Sequence, residues 1–398
     1  MATFFETMLE NRIFDNTKSA FALKTDSELE RAYFLFKMIS KQPLVRIGTT
    51  VTRFAINAKL PVEGLIRATV FDHFCGGVNE RDCNTVVKKM YEKGVCSVLD
   101  FSVEGKEKEQ SFDDALNRVI QIMEFAQDKP SMPFSVFKPS GFGRFEIYRK
   151  ITEKEHLTQK EHEEWQRIKE RFDKVCSKAV ECNITLLIDA EESWMQGAVD
   201  DLVLEMMQTY NQEKPIVFTT LQCYRWDRLA YLKDLHQDGI EKGYHLGIKI
   251  VRGAYMEKER ARAEEKGYDS PICKDKPETD AHFNAMLVYI FDNLEDIWAF
   301  IGTHNEESNY LAIEIMAQKE IAPDDGRVWF GQLYGMSDHI SYNLAKEGYN
   351  VTKYVPFGPV KDVMPYLIRR AEENTSVAGQ TNRELSLIQE ERRRRKLN

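Results

Sequence analysis

Eight short apolar runs, each followed by a polar stretch of helix length, constrain this chain more than any other feature. They are Cys96–Phe101, Phe134–Lys138, Thr185–Asp189, Ile216–Gln222, Leu246–Arg252, Trp298–Thr303, Val328–Leu333 and Val351–Val355. Each is apolar on both faces, the pattern of a strand buried from two sides in a parallel sheet. Eight strand–helix units in succession is the number that closes a (β/α)8 barrel, so an α/β fold of the TIM-barrel type is expected. A doubly wound parallel sheet is the competing topology, and periodicity does not exclude it.

No such run precedes Gly94. Instead Asp26 or Ser27 is placed to cap a helix whose apolar face includes Ala32, Tyr33, Leu35, Phe36 and Met38, and a second helix is expected over Val86–Lys93. The expected division is a helical arm over residues 1–93, a barrel over 94–375 and a helical tail over 376–398. The connection from Glu146 to Cys182 is dense in Glu, Lys and Arg, the composition of one or two long solvated helices. The tail carries the run Arg392, Arg393, Arg394, Arg395, Lys396. A basic helix end complements the helix dipole; contact with an anionic membrane surface is the alternative reading.

Composition narrows the classes. With 398 residues and 42% hydrophobic content the chain can bury a large core. A net charge of −9 argues against nucleic acid as a partner. The seven cysteines include no Cys-x-x-Cys pair, which points to reduced thiols. The histidines show neither His-x-His nor His-Glu-x-x-His spacing, so no metal is expected. Residues Met1–Ala22 interleave acids with apolar residues, unlike a signal or transit peptide, and no run reaches bilayer-spanning length. A cytoplasmic protein is expected, at most peripheral on the inner face of the membrane.

Polar residues gather at the ends of the apolar runs: Asp100, Lys138, Asp189, Gln222, Arg252 with Tyr255, Thr303 with His304 and Asn305, Gln332, and Tyr354. Barrel enzymes place their chemistry at the carboxy ends of strands. One polar residue there is merely a strand meeting solvent; eight in eight runs form a pattern. Beyond the last run, Asp362 is placed to cap a helix with Pro365 in its first turn. Arg369 and Arg370 follow, with Glu373 four and three residues further on, within reach of either guanidinium. That set reads either as an exposed Arg/Glu helix face or as a forked cation pair suited to a carboxylate. Gly141 and Gly143 lack the third glycine of a dinucleotide fingerprint.

Together these segments resemble the proline dehydrogenase family from about Gly94 to Asn374. The matching pieces are Val136–Lys138, Ile188–Glu192, Leu221–Tyr224, Ile250–Tyr255, Gly302–Asn305, Gln332–Met336, Tyr354 and Tyr366–Asn374. The resemblance implies a non-covalent FAD, L-proline as substrate, Δ1-pyrroline-5-carboxylate as product and a membrane quinone as electron acceptor. It implies that Lys138, Arg369 and Arg370 grip the substrate carboxylate, and that Asp189, Tyr255, Tyr354 and Glu373 complete the pocket. It assigns Gln222, Lys249, Val251, Gly253, Thr303, His304, Asn305 and Gln332 to the flavin. Lys249 stands where the family often has Arg, and Met256 where many members have Trp. Three rivals stand beside this reading. They are a hydroxyproline dehydrogenase, a cofactor-free Schiff-base lyase using Lys138, and a non-catalytic scaffold docked on membranes through the basic tail.

Overall fold

The computed structural model describes residues 12–41, 63–101, 107–376 and 378–397, leaving aside the side chains of residues 63, 65, 68 and 371–380. Eight parallel strands among them close into a barrel in the order β1 to β8. They are β1 (Val95–Phe101), β2 (Phe134–Phe137), β3 (Thr185–Ile188), β4 (Val217–Gln222), β5 (Leu246–Val251), β6 (Ile297–Gly302), β7 (Val328–Leu333) and β8 (Val351–Phe357). The barrel expectation is met, and each strand lies within two residues of its expected bounds. The doubly wound alternative is excluded by the closure.

Helices longer than five residues alternate with the strands. Before the barrel come α1 (Asp26–Ile39) and α2 (Glu80–Tyr91). The connections carry α3 (Glu109–Ala126), α4 (Phe145–Thr152), α5 (Gln159–Cys182), α6 (Ser193–Tyr210), α7 (Arg228–Lys242), α8 (Met256–Lys266), α9 (Lys276–Asp292), α10 (Glu306–Gln318) and α11 (Asp338–Lys346). After β8 come α12 (Val360–Ser376) and α13 (Ala378–Arg394). The charged connection between β2 and β3 is two helices, α4 and α5. Its charges are tied locally: Arg149 bonds Glu146 and Glu155, Lys150 bonds Glu161, and buried Arg171 meets Glu109 and Asp113.

The chain divides into two compact units, residues 105–331 and residues 1–104 with 332–398. In the first, aromatic rings fill the strand layer. Phe134 meets Phe300 edge-on at 5.3 Å and Trp329 at 4.9 Å. Glycines lie opposite the rings. A Cβ on Gly331 would stand 2.3 Å from the Phe300 ring, and one on Gly247 equally close to Phe218. Interiors packed at crystal-like density leave no room for either methyl group.

In the second unit β1 pairs in parallel register with β8, Val98 opposite Tyr354. Ala20, Phe21, Leu29, Ala32 and Phe36 pack against Leu387 and Ile388 of α13. Val363, Met364 and Leu367 of α12 pack with Ile39, Phe71 and Phe74. Two caps differ from expectation. Thr25 caps α1, accepting from the Glu28 N–H while the Glu28 side chain accepts from the Thr25 N–H, a capping box that starts the helix at Asp26. Helix α12 starts at Val360, where the Pro359 carbonyl accepts from Asp362 and Val363, so Asp362 is inside the first turn and Pro365 inside the helix. The basic tail is bound at home. Arg392 pairs with Glu30, Arg394 and Arg395 pair with buried Glu391, and Arg395 also reaches Asp26. Those bonds favour a structural role for the tail over membrane contact.

All seven cysteines are buried, and none is in a disulfide. Among the described residues no helix is long and apolar enough to cross a membrane.

Candidate active site

A closed parallel barrel puts every strand's carboxy end on one rim, and loops there can be polar without costing the core. In unit 105–331 the rim residues are held in several hydrogen-bonded sets. Lys138 and Asp189 lie just past β2 and β3, both half-buried. The Asp189 carboxylate receives the Lys249 ammonium at 2.6 Å, with Lys249 buried on β5. The pair ties the end of β3 to β5 and fixes both side chains. The Gln222 amide, at the end of β4, donates to the Glu191 carbonyl at 2.7 Å.

Arg252 follows β5 and is engaged on all sides. It donates to Asp280 at 2.7 Å, to the Thr303 hydroxyl at 2.6 Å and to the Ser308 hydroxyl at 3.0 Å. Its guanidinium also lies 4.5 Å from the Phe283 ring centre. The arginine therefore acts as a strut between β5 and β6, and orients Thr303. Asn305 caps α10 by accepting from the Ser308 N–H at 2.9 Å. His304 between them is half-buried. The Val251 carbonyl accepts from the Cys223 N–H at 2.8 Å.

Gly253 has φ of +122°, a conformation open chiefly to glycine, and a Cβ there would stand 2.5 Å from the Tyr224 ring. The next turn carries Tyr255, half-buried, with the Lys258 ammonium 5.4 Å from its ring centre. Buried Glu259 accepts from both the N–H and the hydroxyl of Ser193, tying α8 to the start of α6.

In the other unit Gln332 is buried on β7, and its side-chain oxygen accepts from Ser341 at 2.8 Å. Tyr354 on β8 is buried. Asp100 on β1 is half-buried. On α12, Arg369 and Arg370 are half-buried, and the Arg370 guanidinium lies 5.1 Å from the Tyr366 ring centre. The Glu373 side chain lies outside the described residues.

Sequence reasoning singled out neither Glu191 nor Glu259, although both organise the rim. It also missed Lys353, whose ammonium lies 2.8 Å from Asp338 and 2.7 Å from the Met336 carbonyl with no exposure to solvent. A lysine at an inner position of an otherwise apolar run was the available signal.

The family model for proline dehydrogenase matches residues 83–383. Among curated proteins, the carbapenem antibiotics biosynthesis protein CarD of Pectobacterium carotovorum subsp. carotovorum is 36% identical over 335 residues, 84% of this chain and 86% of that protein. Mitochondrial proline dehydrogenase 1 of Arabidopsis thaliana is 30% identical over 416 residues, covering 93% of this chain and 83% of its own. Its Homo sapiens counterpart is 40% identical over 235 residues, 58% of this chain and 39% of the human protein. Among solved structures, proline utilization A (PutA) from Bdellovibrio bacteriovorus matches 94% of this chain with a TM-score of 0.71 at 20% identity, and the match spans 38% of that longer chain. That last likeness speaks to fold alone, and agrees with the closed barrel. The model's extent, more than half of the sequence and including all eight strands, decides the family: the chain belongs to the proline dehydrogenases.

Proposed function

We propose that the protein oxidises L-proline to Δ1-pyrroline-5-carboxylate with a non-covalent FAD and passes the electrons to a membrane quinone. The observation carrying this reading is the family match over residues 83–383, within which the strand ends supply an ordered polar set. The fit to a flavin rests on donors and on space. Gln222, Lys249, Thr303 and Gln332 are polar side chains buried at the strand ends, and Gly253 lets backbone approach a ligand where any side chain would collide with Tyr224. Val251, His304 and Asn305 complete the assigned set. A bound flavin supplies the two-electron oxidation; the protein supplies position and charge.

Lys138, Arg369 and Arg370 bind the substrate carboxylate in this reading, each through a charge-assisted bond. Fixing the carboxylate orients the ring and turns encounter into near-attack geometry. Asp189 holds the Lys249 cation in place, and Tyr255 and Glu373 line the substrate side. The substrate amine is neutral before its adjacent carbon is oxidised.

A purified preparation is expected to absorb in the visible as a flavoprotein and to bleach on adding proline. A colourless protein that FAD does not reconstitute refutes the reading. The Schiff-base rival predicts instead that borohydride with substrate labels Lys138.

Tyr354 packs against the ring and leaves little room for a hydroxyl, so proline is preferred over hydroxyproline. Tyr354→Ser is expected to narrow the ratio of kcat/KM between the two by about tenfold, the worth of a lost close contact of ~1–2 kcal/mol. An unchanged ratio removes the specificity argument. The near full-length likeness to a carbapenem-biosynthesis protein supports a second reading, in which the same oxidation serves a biosynthetic route. The paired kinetics on related cyclic imino acids address that as well.

A further inference from the structure

The loop after β3 is four residues long, from Asp189 to Glu192, yet it holds side chains from three neighbouring strand ends. At its centre Glu191 is buried. One carboxylate oxygen accepts from the Ser140 N–H at 2.8 Å and the other from the Ser140 hydroxyl at 2.7 Å. Ser140 belongs to a single helical turn, Pro139–Gly141, that Lys138 begins. The Tyr148 hydroxyl braces that turn by donating to the Pro139 carbonyl at 2.7 Å. On the other side, the Glu191 carbonyl accepts from the Gln222 amide at 2.7 Å, while its N–H donates to Gln196 at 2.9 Å. Gln196 in turn bonds Asp200, which pairs with Arg228 at 2.7 Å. The loop is thereby anchored to α6 and α7.

We propose that Glu191 is a positioning residue: its carboxylate fixes the turn that presents Lys138, and its carbonyl fixes the Gln222 amide. One residue thus sets a substrate-side contact through its side chain and a cofactor-side contact through its backbone. The inference rests on the reading of Lys138 as a carboxylate-binding cation.

The carboxyl also changes charge near neutrality. Burial pushes it up to about 7, against the opposing pull of Lys138 and the Ser140 donors. Glu192, on the same loop, acts in the direction of burial. From α4 the Tyr148 phenol faces it. The remaining nearby charges are closed on each other: Asp189 with Lys249, Asp200 with Arg228, and Glu192 with Lys258. As pH rises through about 7, an ionised Glu191 offsets the Lys138 charge, and a carboxylate bound at Lys138 is held less tightly.

The test is calorimetric titration of the flavin-loaded protein with cyclopentanecarboxylate, which has the ring and acid of proline but no nitrogen to oxidise. Between pH about 6 and about 8 the wild-type affinity is expected to fall about tenfold. Glu191→Gln, close in shape and without charge, should bind with flat pH dependence. Ser140→Ala removes a donor that favours the ionised form, so its midpoint should move to higher pH, and it serves as a second variant if Glu191→Gln fails to fold. A wild-type profile that is flat, or a Glu191→Gln profile that tracks wild type, overturns the proposal. Lys138→Met separates the two claims. If it binds the probe as wild type does, the carboxylate role of Lys138 is lost, and the Glu191 proposal with it. If it weakens binding while Glu191→Gln changes nothing, only Glu191's role is lost.

Discussion

Replacing Arg369 or Arg370 with methionine is expected to raise KM for proline by about two to three orders of magnitude, with the flavin spectrum unchanged. Each guanidinium offers a charge-assisted, forked pair of bonds to a carboxylate, and such bonds contribute about 1.5–3 kcal/mol apiece. Methionine keeps most of the side-chain volume and removes the charge, so packing is a small part of the effect. Arg370 is half-buried and lies over the Tyr366 ring at 5.1 Å, which limits its rotamers and lowers the entropy lost on binding. A lysine at that position would keep charge but lose the fork, and an intermediate KM is the expected result. Steady-state kinetics beside the absorption spectrum make the check. If both methionine variants keep wild-type KM, the carboxylate assignment on α12 is wrong. If flavin is lost instead, the arginines act on the cofactor.

Lys353→Met should destabilise the fold by about 3–5 kcal/mol, the cost of breaking a buried ion pair from one side. Lys353 has no solvent exposure. Its ammonium holds the loop after β7 through Asp338 at 2.8 Å, the Met336 carbonyl at 2.7 Å and the Leu333 carbonyl at 3.3 Å. Lys24 joins Asp338 from the other side at 3.1 Å. Burial opposes ionisation of Asp338, but the two ammonium groups outweigh it and hold the carboxyl well below its ordinary range. A carboxyl depressed on folding adds stability above its unfolded pKa of about 4 and loses it as pH falls further. The gap between Lys353→Met and wild type is therefore largest near neutral pH and shrinks in acid. Urea midpoints at several pH values measure it. Adding Asp338→Asn should recover only part of the loss, because it removes the carboxylate left short of one cation but takes from Lys24 its own partner. A gap that is independent of pH would mean the lost carbonyl bonds, not the ion pair, dominate.

Much of the fold was legible because its signals are local. A strand buried on both faces writes itself as a short apolar run, and eight such runs with helical spacers leave few closed topologies. Strand ends were readable to within two residues because the change from apolar to polar marks where the chain leaves the core. Local signals also misled. Asp26 and Asp362 each looked like a cap, but the capping box at Thr25 and the carbonyl of Pro359 began those helices earlier. The basic tail gave no sign of its partners, since Glu30 and Asp26 are more than 350 positions away in sequence.

What the sequence by itself determined is the strand count, the order of strand and helix, and the polar residue waiting at each strand's end. Those depend on periodicity and composition, which need no knowledge of distant neighbours. Only the tertiary structure decided which polar groups meet. It joined Lys249 to Asp189, made Arg252 a strut, placed Glu191 between two strand ends and sealed Lys353 inside. Charge pairing acts over a few ångströms between residues from different strands, and no spacing along a chain encodes that distance.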